Sequence, residues 1–193
     1  MSDERPHEQP EEESSEQVDA GGVAANLFAG GDVAELLRER NWLAGEGSPE
    51  ELAWCERAAF LLGPQVKGRA ELGALLQLVF QYDAAETLTR MESHIVLSRY
   101  AARDVLRRFA LELLEGPALT PERFSEIITA MKDSMEPRGR ELFHPIRLAL
   151  TGRAGEGALD RVILLLDAAA ALPFGVPVKS ARTRMLEFCS RLD

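Results

Sequence analysis

Residues 139–152 read Gly139-Arg140-Glu141-Leu142-Phe143-His144-Pro145-Ile146-Arg147-Leu148-Ala149-Leu150-Thr151-Gly152. The stretch joins a basic glycine-containing loop to an apolar run that carries one arginine and stops at Thr-Gly. Pro145–Thr151 therefore reads as a helix ended by Gly152. A guanidinium in such an apolar helix is costly to desolvate unless it pairs or faces out. Two readings follow for Arg147: a snorkelling side chain, or a cation held out to meet an anion or a base. Pattern alone favours the snorkelling side chain.

Helix signals continue on both sides of this stretch, and strand alternation is almost absent. Asp32 reads as the cap of a short helix through Arg40. Ser48-Pro49-Glu50-Glu51 is a capping box with proline at the first helical position, and its helix should reach about Leu62, before Pro64. Ala70–Tyr82 and Ala84–Ser93 read as two further helices. Ser98 should open a long amphipathic helix to about Leu114, closed by Glu115-Gly116-Pro117. Thr120-Pro121-Glu122 should start the next, which ends near Met135. Beyond the motif, Leu159–Leu172 is nearly all apolar and closes at Pro173, and Thr183–Leu192 reads as a last helix. The expected fold is all-α, a helical bundle of two packed lobes with a boundary near 115–120.

Length and charge bound the function. A chain of 193 residues that is 46% hydrophobic can bury a core. Residues 1–22 are rich in Glu, Pro and Ser and read as a disordered acidic tail. The folded part is then 23–173, with 174–193 a helical extension. Net charge is −10, which alone argues against nucleic acid. Residues 1–20, however, hold eight acids against one base, a local −7, which leaves −3 for the rest of the chain. That remainder can carry a basic face, although it is less basic than most dedicated RNA-binding domains. Two distant cysteines, Cys55 and Cys189, suit a reducing cytoplasm and give neither a zinc nor a disulfide framework. No apolar run is long enough for a bilayer, and no signal peptide is visible.

Enzyme signals are poor. No HExxH, GxSxG, Walker A or GxGxxG motif occurs, and the three histidines, His7, His94 and His144, form no triad with Ser98 or Asp104. Cys55 sits on an apolar helix face with Trp54 and Ala58 and reads as a core thiol. No cofactor and no metal site is expected.

The run Leu142-Phe143-His144-Pro145-Ile146-Arg147-Leu148-Ala149-Leu150-Thr151-Gly152 resembles the C-terminal anticodon-binding region of bacterial-type glutamyl-tRNA synthetases, which carries Leu-Phe-x-Pro-Leu-Arg-x-Ala-Leu-Thr-Gly. The resemblance extends from about Asn26 to Leu172 and implies an all-helical anticodon-binding domain. The HIGH-like and KMSKS-like motifs of the synthetase are absent, which implies a detached region without aminoacylation chemistry of its own. It also implies that Arg147 lies near the anticodon bases, where a planar guanidinium can pair with or stack on a base. Leu62–Leu72 resembles the family's Pro-Arg turn, with Gln65 where discriminating members carry arginine. That departure implies relaxed choice between glutamate and glutamine tRNAs, since a neutral amide lacks the forked, charged donors.

The bases fall into three clusters. Lys67 and Arg69 follow Gln65. Lys132, Arg138, Arg140, Arg147 and Arg153 surround the motif, and Gly139 lets its two flanking arginines approach a phosphate backbone. Arg99, Arg103 and Arg107 share a helix face with Arg108 beside it, and a solvated stripe paired with Glu112 and Glu115 is the plainer account. Phe143 is more often core than a base-stacking platform. Two functions remain. One is a non-catalytic tRNA-binding module, acting with a separate catalytic subunit or as a tRNA-associated factor. The other is a protein-interaction module that kept the fold and lost RNA binding. A continuous basic face would favour the first, and a face broken by glutamates the second.

Overall fold

Hydroxyl caps followed by proline set the register of two central helices. Ser48 Oγ accepts the Glu51 N–H at 3.2 Å while the Glu51 carboxylate accepts the Ser48 N–H at 2.7 Å. Thr120 Oγ1 accepts the Arg123 N–H at 3.2 Å. In each case the side chain satisfies an orphan donor of the first turn, and proline costs nothing at the first position. The computed structural model describes residues 26–192, so the acidic tail expected at 1–22 lies outside the described residues. Those residues form α1 (Gly30–Glu39), α2 (Pro49–Leu62), a 3₁₀ turn (Gly63–Gln65), α3 (Arg69–Phe80), α4 (Ala84–Thr89), α5 (Met91–Leu97), α6 (Ala102–Glu115), α7 (Pro121–Ser134), α8 (Gly139–Thr151), α9 (Ala158–Ala170) and α10 (Ala181–Cys189). No strand occurs among the described residues, in line with the all-α expectation. None of their helices is long and apolar enough to cross a membrane.

Four boundaries differ from the sequence reading, each for a local reason. Asp32 is not the cap of α1: the helix begins at Gly30, and the Asp32 carboxylate reaches back to the Ala29 N–H at 2.8 Å. The segment expected as one helix over 84–93 breaks at Arg90, whose backbone is extended, and α4 and α5 lie on either side. The long helix expected from Ser98 starts only at Ala102, because Ala101 is left-handed with φ of 61°. The motif helix does not start at Pro145. It starts at Gly139 and holds Pro145 inside. A proline there removes one intrahelical hydrogen bond. The buried side chains of Leu142 and Ile146, on the core face of the same turns, offset that loss.

The buried apolar side chains form one continuous cluster from Val33 to Phe188, with the 115–120 connection between α6 and α7 at its surface. Helix α9 packs on α2, α3 and α8, and α8 packs on α6 and α10. An aromatic group closes one end. Trp42 stacks on Phe80 at 4.7 Å between centroids, and Trp54 and Phe174 meet Phe80 edge-on at 5.7 and 5.1 Å. Trp54 also donates its indole N–H to the Leu165 carbonyl at 3.2 Å. Phe174 belongs to the segment after Pro173, and the Gly175 N–H donates to the Trp42 carbonyl at 2.7 Å. A side chain at Gly175 would meet the Asn41 carbonyl at 2.6 Å, so this approach requires glycine. The 174–193 extension is thus part of the core. Asp167 fastens it further by accepting the N–H groups of Leu119 and Ala181, at 2.5 and 2.7 Å.

The deepest polar contact is made by Arg184 of α10, 1% exposed. Its guanidinium donates to the carbonyls of Leu78 (2.7 Å) and Val79 at the end of α3, to Leu150 near the end of α8 (2.8 Å), and to Lys179 (3.0 Å). It also lies 4.7 Å from the centre of the Tyr82 ring. Burial pulls its pKa down to about 10, so it stays charged at neutral pH. A buried cation without a carboxylate is tolerable here because helix C-termini carry partial negative charge and unpaired carbonyls. Replacing it by an apolar isostere, Arg184→Met, leaves those carbonyls unpaired in the interior. The expected loss is about 3–5 kcal/mol of unfolding free energy, read as a lower urea midpoint, with Arg184→Lys recovering only part because an ammonium cannot reach both helix ends.

Candidate nucleic-acid interface

The turn that carries Gln65 is fixed from below. Asn26 donates its amide to the Ala59 carbonyl at 3.1 Å and lies over Gly63, where a Cβ would come within 1.8 Å of the Asn26 oxygen. A side chain at Gly63 would displace the Asn26 amide from this position. The 3₁₀ turn then presents Gln65 on the surface, with Lys67 exposed just beyond it. The Lys67 ammonium makes no ion pair among the described residues. Arg69 is engaged: it bridges Glu35 at 3.1 Å and Glu39 at 2.7 Å, tying α3 to α1, and these hydrogen bonds raise its pKa.

Around the motif helix the arginines have structural partners. Arg138 folds back onto the end of α7 and donates to the carbonyls of Lys132, Met135, Glu136 (3.0 Å) and Pro137 (2.9 Å). Arg140 pairs with Glu156 at 3.0 Å, both exposed. Arg147 is 9% exposed and turned inward. Its fork meets both oxygens of Asp160 at 2.7 Å, and it donates to the Gly155 carbonyl at 3.0 Å. Its guanidinium carbon lies 5.0 Å from the centre of the Phe143 ring, and the Lys132 ammonium lies 5.7 Å from the same ring. The snorkelling or outward arginine of the sequence reading is replaced by a bidentate pair, because Asp160 stands on α9 opposite it. Arg153 is exposed past Gly152, whose φ of 76° ends α8 as expected.

The third basic cluster is dispersed into local contacts. Arg108 pairs with Glu112 at 2.7 Å, Arg107 with Asp104 at 3.6 Å, and Arg103 donates to the Leu192 carbonyl at 3.0 Å. Arg99 donates to His144 Nδ1 at 3.1 Å, which places the imidazole proton on a buried Nε2 without a partner. Burial and the positive charges of Arg99, Arg147 and Arg140 lower the His144 pKa, so the ring is neutral.

One groove joins the two sequence regions. It has a volume of about 450 Å³, and its lining includes polar Gln65, Ser125, Asp160 and Arg161 and apolar Phe124, Ile128, Phe143 and Leu164. Phe143, half-buried, packs against the core and also lines this groove. Arg147 lies behind Asp160 and does not line it. Sequence reasoning missed Phe124, Asp160 and Arg161. The available signal was Asp160 itself, an acid in the first turn of an apolar helix facing a motif whose arginine needs a partner. Among the described residues no group of three His, Cys, Asp or Glu side chains is placed to hold a metal ion.

An all-α domain with a half-apolar surface groove and an exposed arginine, Arg161, in its lining is the class of protein that these features define. A family model described as "anticodon binding domain" matches residues 32–171, and the chain belongs to that family. The glutamate–tRNA ligase of Exiguobacterium sibiricum is 30% identical over 131 residues, covering 68% of this chain and 27% of that protein. The glutamate–tRNA ligases of Bacillus velezensis and Bacillus cytotoxicus are each 31% identical, over 67% and 73% of this chain and 26% of their own lengths. The chain thus spans about a quarter of the length of the relatives it matches. No solved structure gives a significant match.

The Arg147–Asp160 pair is a structural element whatever the domain binds. Arg147→Ala leaves a half-buried carboxylate unpaired and empties the space beside Phe143. The expected cost is about 2–3 kcal/mol, less than for a fully buried pair because the Asp160 side chain is 26% exposed. In a double-mutant cycle with Asp160→Ala, urea unfolding should give losses well short of additive, as expected of direct partners.

Proposed function

We propose that this domain binds tRNA through its anticodon loop, without catalysing aminoacylation itself, and acts in the cytoplasm with a separate catalytic subunit or as a tRNA-associated factor. The observation that carries this reading is the groove, which Gln65 of the early turn and Phe143 of the motif helix both line although they are far apart in sequence. Unpaired RNA bases are recognised by stacking on aromatic or apolar walls and by hydrogen bonds to their edges, and the groove offers both. Arg161 in its lining and Lys67 just past Gln65, exposed and without ion pairs among the described residues, supply phosphate contacts, with Lys132 beside Phe143 and Arg153 past the end of the motif helix. Gln65, a neutral amide, accepts both glutamate and glutamine tRNAs.

A second reading has its own observation. Arg69, Arg140 and Arg147 are each neutralised by carboxylates, so the basic face is interrupted. A protein-interaction module derived from the same fold would look this way.

Equilibrium binding of glutamate tRNA, glutamine tRNA and an unrelated tRNA across a salt series separates the two. The first reading expects the glutamate and glutamine tRNAs to bind in preference to the third, with affinity falling as salt rises. Lys67→Ala and Arg161→Ala should each weaken binding by about threefold to tenfold and reduce the log–log salt slope by about one, as for the loss of single phosphate contacts. Absence of binding at low salt in the folded protein would leave the protein-partner reading.

A further inference from the structure

Three cations without an ion pair among the described residues stand around the groove. Arg161 lines it, and Lys67 is exposed just past Gln65, which lines it too. The third is Arg57, exposed on α2. The Glu122 carboxyl is held below its usual range by hydrogen bonds from its own backbone and from Thr120, and also by the charge of Arg57. Arg57 is therefore near Glu122, the residue after Pro121 of the groove lining. The groove's own carboxylate, Asp160, is already matched by Arg147 at 2.7 Å.

The chain enters the domain at the same place. The Asn26 amide donates to the Ala59 carbonyl at 3.1 Å, and its oxygen accepts the Phe28 N–H at 3.0 Å. Asn26 is thereby pinned over Gly63, two residues before Gln65. The segment that precedes it carries Glu8, Glu11, Glu12, Glu13, Glu16 and Asp19, within a local charge of −7 over residues 1–20. An extended chain covers about 3.5 Å per residue. Even Asp19, the nearest of these acids, has about 25 Å of chain before Asn26, ample to reach a groove of about 450 Å³.

Resting on the tRNA reading above for what is displaced, we infer that residues 1–25 are an intramolecular competitor. Their carboxylates between Glu8 and Asp19 pair with Arg57, Lys67 and Arg161 and cover the face at which RNA would bind. An exposed ion pair is weak alone. Attachment at the rim presents several carboxylates at an effective concentration on the order of millimolar, so weak pairs suffice. Guanidinium forks take carboxylate and phosphate alike, and the segment and an RNA backbone compete for the same donors. Such a competitor opposes the sequence-independent electrostatic part of RNA binding and leaves contacts to bases unopposed. The device therefore discriminates against RNA that offers backbone charge alone.

The test compares the full chain with a full-length variant carrying Glu8→Gln, Glu11→Gln, Glu12→Gln, Glu13→Gln, Glu16→Gln and Asp19→Asn. Without RNA and at low salt, amide NMR spectra of the two should differ at Arg57, Gln65, Lys67 and Arg161, far in sequence from the substitutions. The differences should vanish at about 1 M salt, where the Debye length is about 3 Å, and in the background of Arg57→Ala with Arg161→Ala. The neutralised variant should also bind glutamate tRNA about tenfold tighter than the full chain at low salt, with the gap closing as salt rises. Spectra that agree at the groove would overturn the docking, and a gain in tRNA affinity would then report repulsion at a distance. Spectral differences with equal tRNA affinities would overturn the competition. Spectral differences with no tRNA binding by either protein would uphold the docking and overturn the tRNA reading instead.

Discussion

The guanidinium of Arg184 holds this fold at its centre. Helices α3 and α8 end close together in the interior, and each end brings carbonyls that its own helix cannot satisfy. One planar cation with five donors serves both ends at once, which no neutral side chain can do. Tyr82 completes the arrangement by donating its hydroxyl to the Ala149 carbonyl at 2.5 Å, and burial raises its pKa, so it remains a donor. The direction of α8 is therefore set from its C-terminal end by a residue of the last helix. The N-terminal part of the same helix carries Phe143, so α8 joins the groove to the Arg184 contacts. The extension past Pro173 belongs to the architecture for that reason.

Arginine is used in this protein mostly as a connector. Arg182 donates to the carbonyls of Leu113, Leu114 and Gly116 and closes α6. Arg123 donates to Glu112 in the same region, and Arg138 closes α7. Arg90 spans from Glu86 to the Gly152 carbonyl. In these sites the fork satisfies helix C-terminal carbonyls that would otherwise face water or remain unpaired. Counting arginines therefore overstates the charge available to a ligand. Among the described residues the exposed cations without an ion pair or hydrogen bond include Arg57, Lys67, Arg153, Arg161 and Arg191; of these Arg161 lines the groove and Lys67 follows Gln65, and Lys132 lies over the Phe143 ring.

The helices were legible where a local device fixes them. Ser48-Pro49 and Thr120-Pro121 begin helices at the expected residues, and Gly152 ends one, because cap geometry is decided within four residues. Boundaries set by tertiary packing were not legible. Ala101 adopts a left-handed backbone that nothing in its side chain requires, and Pro145 sits inside a helix because the burial of its neighbours outweighs one lost hydrogen bond. The candidate site followed the same division. Gln65 and Phe143 were found from motif residues, and both line the groove. The partner of Arg147 was not found, because an ion pair between α8 and α9 depends on the angle at which two helices pack, which periodicity does not contain. The physical demand was visible, however: an arginine in an apolar helix requires a carboxylate or water, and the packing supplied the carboxylate.

A domain near neutrality cannot rely on counterion release for affinity in the way a strongly basic one does. With few free cations, a larger share of any RNA contact must come from stacking and from hydrogen bonds to base edges. Those contacts are short-ranged and need side chains held in place before the ligand arrives. The structure invests in that placement. Asn26 and Gly63 fix the Gln65 turn, Arg147 fixes Asp160, and the cations on Phe143 restrain its ring. Each of these contacts fixes a groove residue without adding free charge, so the same pairs that interrupt the basic face also shape the surface a base would meet. Neutralisation of the arginines and a role in base recognition are consistent with one another, provided that recognition rests on shape and hydrogen bonding rather than on the sum of charge.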